Sequence, residues 1–315
     1  KLSALHPRYE AVKQNRVLTE LLPRVKELAM LAKTHDMQLT IDAEEADRLD
    51  ISLDIFEALA RDEDLSGWQG LGLVIQAYQK RGPALVDWLI ALAEETGRRF
   101  PTRLVKGAYW DTEIKHAQEL GYTDYPVWTR KATTDLCYLV SAQKMLAAPH
   151  AFYPQFATHN AHSMAAVAAM GKGVEMEFQR LHGMGDLLYK AAGMVIEDMP
   201  RVRTYAPVGA HEDLLPYLVR RLLENGANSS FVNRFMDAAV PVAAVVTDPV
   251  ATVAAMPDKR HNGIPVPMDL YGDRQNSSGL DLANPLEAQA LVKALAAISN
   301  TTYQAPSIVC GEAVG

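Results

Sequence analysis

Two periodicities alternate along the first two thirds of the chain. Short apolar or β-branched runs recur: "LTID" ending at Asp42, "LGLVIQ" at Gln76, "TRLVKGA" at Ala108, "YPQFATH" at His159, "VEMEFQ" at Gln179 and "RTYAPV" at Val208. Their length and composition predict buried strands. Between them, Leu22 to Lys33, Ser52 to Arg61, Pro83 to Thr96 and Lys131 to Leu146 carry apolar residues at spacings of three and four, which predicts helices packed by one face. Alternating strands and helices leave two main architectures, a doubly wound sheet and a closed (βα)₈ barrel. No G-x-G-x-x-G follows the first strand, and a polar residue stands at or near the C-terminal end of nearly every strand. An α/β fold of the (βα)₈ TIM-barrel type is therefore expected, with its site at those strand ends.

The last helical pattern, "YLVRRLLENGANSS", places Tyr217, Arg220, Arg221 and Glu224 in one sector about 100° wide. Leu215, Leu218, Val219, Leu222 and Leu223 fill the opposite side. Glu212 and Asp213 near the start and Gly226 at the end suit the helix dipole. The polar sector is either a solvated face with Arg–Glu pairs or a ligand-gripping face, and this segment alone leaves both open. From Asp237 the texture becomes Ala/Val-rich, then runs through "DKRHNGIPVPMDLYGDRQNSSG" to a helical pattern from Pro285 to Ile298. This predicts a barrel over residues 1–235, then a linker and the beginning of a second domain over residues 236–315. The chain opens at Lys1 with no initiator Met and no signal pattern, and reads as a piece of something longer.

With 315 residues, 49% of them hydrophobic and 22% charged, the chain can bury a large core. A net charge of -7 gives no broad attraction for phosphate backbones, which argues against a nucleic-acid partner. Cys137 and Cys310 are far apart and lack a CxxC or Cys/His partner, so neither a disulfide framework nor a zinc site is expected. A reducing compartment fits this usage. The most apolar stretch, Ala238 to Val246, is too short to span a bilayer.

Four segments hold candidate chemistry. "RLVKGAYWD" sets Arg103 and Lys106 around a strand end, followed by Gly107, Ala108, Tyr109 and Trp110. Small residues permit close approach, and cations beside aromatics suit a planar anionic ligand; a packed strand end with surface ion pairs is the alternative. "WTRKATTD" brings Arg130, Lys131, Thr133 and Thr134 to a helix start, a natural place for a pyrophosphate or simply a helix start. "ATHNAHS" puts His159 and Asn160 after a strand, with His162 beyond; no carboxylate cluster accompanies them, so no metal site is expected. "EFQRLHGMGD" offers Gln179, Leu181 and His182 before two glycines, as a hydrogen-bonding wall or as a buried strand with an ordinary turn.

Together "KLSALHPRY", "IDAEE", "LVIQAY", "RLVKGAYWD", "TRKATTD", "FATHNAHS", "EFQRLHGMG", "YAPVG" and "YLVRRLLENGANSSFV" resemble, in order, the proline dehydrogenase domain of bifunctional bacterial proline utilization A flavoenzymes. The resemblance spans Lys1 to about Arg234, and the remainder resembles the linker and the first part of the aldehyde dehydrogenase domain that follows in those enzymes. It implies a distorted (βα)₈ barrel with its last helix lying over the barrel mouth. It also implies that Arg220 and Arg221 grip the carboxylate of L-proline, joined by Lys1 on the first strand, with Glu224 fixing the arginine pair. Tyr109, Leu181, Tyr205 and Tyr217 would wall the ring, and Asp42 would anchor the polar network.

The same resemblance implies non-covalent FAD. Its implied contacts are Asp42, Gln76, Arg103, Val105, Lys106, Gly107, Ala108, Trp110, Thr129, Arg130, Lys131, Thr134, Ala157, Thr158, His159, Asn160, Gln179, Arg180, Glu224, Ser230 and Phe231. The implied reaction is oxidation of L-proline to Δ1-pyrroline-5-carboxylate by hydride transfer to flavin N5. Electrons would pass on to a membrane quinone, from a cytoplasmic protein associated peripherally with the membrane. Two rival readings are a phosphate-binding barrel aldolase with Lys106 as Schiff-base nucleophile and a non-catalytic regulatory piece. The colour of the purified protein separates both from a flavoenzyme.

Overall fold

A computed structural model describes residues 1–226, 247–299 and 301–314. After a 3₁₀ turn, Leu2–Ala4, come α1 (Gln14–Glu20), α2 (Leu22–Thr34), β1 (Leu39–Ile41), α3 (Leu49–Ala60), β2 (Leu71–Gln76), α4 (Gly82–Thr96) and β3 (Phe100–Val105). There follow α5 (Trp110–Glu119), α6 (Lys131–Ala147), β4 (Phe152–Ala157), α7 (Ala161–Met170), β5 (Glu177–Leu181), α8 (Asp186–Val195), β6 (Arg201–Tyr205) and α9 (His211–Gly226). Beyond lie α10 (Pro249–Ala255), α11 (Pro285–Ile298) and a small antiparallel hairpin, β7 (Ser307–Val309) and β8 (Glu312–Val314).

The six strands pair in the order β1-β2-β3-β4-β5-β6, every neighbour parallel. A doubly wound sheet reverses its strand order at a switch point; this order never reverses, so the sheet is a curled parallel half-barrel, consistent with a distorted barrel of the TIM type. All six predicted strands are present, β2 with the predicted bounds and the others with shifted ends. β3 stops at Val105 rather than Ala108, because Gly107 turns the chain at φ +135°. A Cβ there would collide with the Tyr78 ring, so only glycine fits. Lys1 is also corrected: it leads into the 3₁₀ turn and lies on no strand.

Burial follows the strand alternation. Leu104, Phe156 and Phe178 are buried in the main core, and the rings of Phe156 and Phe178 lie 6.4 Å apart. The alternate positions Arg103, Gln155, Glu177 and Gln179 share the other side of the sheet and are polar. Local signals end the helices as the sequence requires: Pro83 opens α4 and Gly97 closes it at φ +64°, while Asn160 caps α7 by accepting the Ser163 N–H at 3.0 Å. α10 packs against α6, which brings the chain back to the barrel after residue 246.

Candidate active site

Inward-facing residues along β3, β4, β5 and β6, with Asp42 just past the end of β1, assemble a connected polar wall on one face of the sheet. Arg103 donates its Nε to Gln179 Oε1 at 2.6 Å, and a terminal nitrogen lies 3.5 Å from Asp42. Gln179 passes its amide to Glu177 Oε1 at 2.7 Å. Glu177, 0% exposed as a side chain, also receives Arg203 at 2.8 and 2.9 Å and the Tyr153 hydroxyl at 3.0 Å. Burial alone would raise its carboxyl, but the hydrogen bonds from Arg203 and Gln179 and the arginine's charge hold it below the usual carboxylate range. Gln179 Oε1 and Asp42 restrain the Arg103 guanidinium from two sides.

On the rim, rings and cations stack. The Arg103 guanidinium lies 5.8 Å from the Tyr205 ring centre, Tyr205 and Tyr217 are 6.2 Å apart, and Arg221 lies 5.1 Å from the Tyr217 ring. Lys1 Nζ sits 4.7 Å over Tyr109. α9 meets β6 through Tyr217, with Arg221 beside it, while Leu215, Leu218 and Val219 are exposed. The side chains of Arg220 and Glu224, and the whole of Ser230 and Phe231, lie outside the described residues.

His159 accepts the Leu181 N–H at its Nε2, 3.1 Å away. Desolvation, then the positive Arg221 and Arg180, lower this imidazole to about 4, so it is neutral at pH 7. With Nε2 accepting, the ring proton sits on Nδ1. Thr158 Oγ1 accepts the Asn160 N–H at 3.1 Å, and the Tyr189 hydroxyl reaches the carbonyls of Thr158 and Gln179 at 2.8 and 3.0 Å, joining β4 to β5 behind the site. Gln76 donates to the Glu44 carbonyl at 2.8 Å. Trp110 Nε1 donates to the Trp128 carbonyl at 2.8 Å, which ties the start of α5 to the approach to α6.

At the start of α6, Lys106 and Lys131 share Asp135, Lys131 at 2.7 Å. Desolvation pushes the Lys106 ammonium below the usual lysine range against the pull of Asp135. Burial works against charge on Asp135 as well, yet Lys106 and Lys131 hold its carboxyl low. Thr134 is buried beside this pair in sequence, and Val105 and Ala157 end their strands at the same rim. Arg180 stands apart. It lies on the opposite side of β5 from Gln179 and pairs with Asp186, with further bonds to Thr204 and the Met184 carbonyl.

Sequence reasoning missed Glu177, Arg203, Asp135 and the buried pair Tyr78–Glu113. Glu177 with Gln179 and Arg201 with Arg203 are polar residues two apart on adjacent strands, which is the signal that could have placed them on the inner face. Glu113 accepts the Ala46 N–H at 2.7 Å and the Tyr78 hydroxyl at 3.2 Å, and burial raises its carboxyl to about 7. Among the described residues no group of three or more His, Cys, Asp or Glu could hold a metal ion. No described helix is long and apolar enough to cross a membrane.

This is a parallel half-barrel with cations, amides and aromatic rings gathered at its strand ends, a donor set suited to a planar, anionic group beside a small charged molecule. A model of the proline dehydrogenase family matches residues 2–234, and the chain belongs to that family. It is 52% identical to the bifunctional protein PutA of Salmonella typhimurium over 98% of this chain and 24% of that protein. It is 28% identical to the mitochondrial proline dehydrogenase 2 of Arabidopsis thaliana over 68% of this chain and 46% of that protein. Among solved structures, a mutant of proline utilization A from Bradyrhizobium japonicum superposes with a TM-score of 0.90 at 52% identity, covering 94% of this chain and 31% of that one. The chain thus spans about a quarter of the length of the bifunctional relatives it matches.

Proposed function

We propose that this chain carries the proline dehydrogenase centre of a bifunctional enzyme of proline catabolism, oxidising L-proline to Δ1-pyrroline-5-carboxylate. The observation that carries the reading is the convergence of Asp42, Arg103, Gln179, Tyr205, Tyr217 and Arg221 on one rim. Non-covalent FAD would be the redox group and would supply the two-electron acceptor for the hydride from the ring carbon next to nitrogen, the amine proton leaving to solvent. The donor set fits it. Arg103, held by Gln179 and Asp42, supplies a fixed positive charge for the reduced cofactor, and Lys106, Thr129–Lys131 and the start of α6 supply cations and N–H groups for its phosphates.

The remaining work is binding and orientation by the protein. Arg221, with Arg220 beside it in sequence, grips the substrate carboxylate, and Lys1 adds charge from over Tyr109. Tyr109, Leu181, Tyr205 and Tyr217 wall the ring and keep water from it. α9 forms the cover of the mouth. In this reading residues 1–235 are the dehydrogenase barrel, and 236–315 are linker and the beginning of an aldehyde dehydrogenase-like domain. Electrons leave to a quinone, with the parent protein cytoplasmic and docked on a membrane surface during turnover.

One experiment tests the core of this. The purified protein is expected to be yellow, to bleach on anaerobic addition of L-proline, and to release its flavin into the supernatant on heat precipitation. A colourless protein that takes up no FAD, or a yellow one that proline leaves oxidised, sinks the assignment.

A further inference from the structure

The connection from α5 to α6 ends in Thr129 and Arg130, two of the residues assigned above to the cofactor. Residues 260–281, which lie beyond the span matched by the family model, are fastened along its whole length. At the α6 end, Arg130 donates its Nε to the Arg260 carbonyl at 2.9 Å and a terminal nitrogen to Asn262 Oδ1 at 3.0 Å. The His261 N–H donates to Thr129 Oγ1 at 2.9 Å. In the middle, Tyr125 is 2% exposed, donates its hydroxyl to the Pro265 carbonyl at 2.7 Å, and belongs to a small core against which Ile264 packs.

At the far end the Tyr122 hydroxyl donates to Asp281 Oδ1 at 3.0 Å, and the Gly279 N–H donates to the Gly121 carbonyl at 2.9 Å. The backbones meet so closely there that a Cβ on Gly279 would collide with the Leu120 carbonyl. Gly121 itself sits at φ +64°. Such an approach leaves no room for a side chain on either strand of the contact.

A guanidinium held by two oxygen acceptors keeps its charge but loses its choice of rotamers. Ordering of that kind, done before a ligand arrives, lowers the cost of binding. We infer that residues 260–281 form a strap that holds the Thr129–Arg130 corner in the arrangement the pyrophosphate of the cofactor needs, with His261 and Asn262 as positioning residues. The inference rests on the flavin reading, and extends the cofactor site into a stretch that sequence pattern alone assigned to a linker.

The test is titration of FAD into the full chain stripped of flavin, for the wild type and three variants. Asn262→Ala is expected to weaken FAD binding about five-fold, the scale of one charge-assisted hydrogen bond acting indirectly. Asn262→Asp keeps an oxygen for Arg130 and is expected to restore near-wild-type affinity. Gly279→Ala, which levers the far end away from Leu120, is expected to weaken binding further. Because coupling between two sites is reciprocal, FAD should in turn slow amide exchange across residues 260–281 of the wild type. Asn262→Ala with wild-type affinity, together with exchange in the strap unaffected by FAD, overturns the inference. A lowered melting temperature at unchanged affinity does the same, since it makes the strap a brace for the fold and nothing more. A wild type that binds no FAD fails at the first step, without any variant, and removes the flavin reading itself.

Discussion

On the strand side of the candidate site, Glu177, Gln179 and Arg103 are locked in series by hydrogen bonds of 2.6 to 2.9 Å around a carboxylate with no exposure. On the helix side, Tyr205, Tyr217 and Arg221 meet through ring faces at 5.1 to 6.2 Å, and Tyr205 is 41% exposed. The first set resists movement because any displacement strands a buried charge. The second set presents ring faces and a guanidinium, whose mutual contacts are worth about 0.5–1.5 kcal/mol each. In the reading proposed above, the locked side is the cofactor's and the ring-lined side the substrate's.

The largest expected effect breaks the locked side. Glu177→Ala removes the acceptor of Arg203, Gln179 and Tyr153 at once and should destabilise the chain by about 2–4 kcal/mol in urea unfolding. A loss below about 1 kcal/mol would show that the network does not brace the sheet. On the stacked side the effect should fall on binding instead. Arg221→Met is expected to raise KM for L-proline roughly ten- to 150-fold, the equivalent of about 1.5–3 kcal/mol, with its flavin retained. A flavin-replete variant with wild-type KM would return the α9 polar sector to solvent.

The smallest effect sharpens the contrast with a second buried carboxyl. Glu113 is raised to about 7 by burial, where Glu177 is held low by its partners. Between its ordinary value of 4.5 and about 7, folded Glu113 keeps a proton that the unfolded chain has released, so stability falls as pH rises through that window and then levels off. Glu113→Gln keeps an oxygen for Ala46 N–H and Tyr78 and should be about 1–2 kcal/mol more stable than wild type at pH 8, with no difference near pH 4. Equal unfolding midpoints at pH 8 would mean that Glu113 ionises without strain.

Much of this architecture was legible in the sequence because burial on both faces writes itself as an unbroken apolar run. "LGLVIQ" is buried at every residue, as its composition predicts. β6, "RVRTY", is exposed at every residue, and it was found only through its β-branched pattern and its place in the alternation. The ends were less legible. Lys106 to Ala108 read as strand, but a turn forced by Gly107 against the Tyr78 ring ends it, and that ring comes from a residue 29 positions upstream. The candidate rim was read through polar residues at strand ends, whereas the carboxylates beneath it were not, because their partners lie on other strands. The strap was unreadable for the same reason: nothing local to Asn262 or Asp281 points to Arg130 or Tyr122.

Sequence separation sets an order of assembly. The Glu177–Arg203 pair joins residues 26 apart, the Arg103–Gln179 bond joins residues 76 apart, and the Tyr122–Asp281 bond joins residues 159 apart. Loop closure grows costlier with separation, so the β5–β6 unit can form early, the wall of the site closes afterwards, and the far clasp of the strap fastens last. During synthesis the ribosome must release the stretch around Asp281 before that clasp can close. The Thr129–Arg130 corner of a newly made chain therefore waits for its strap on residues made long after its own.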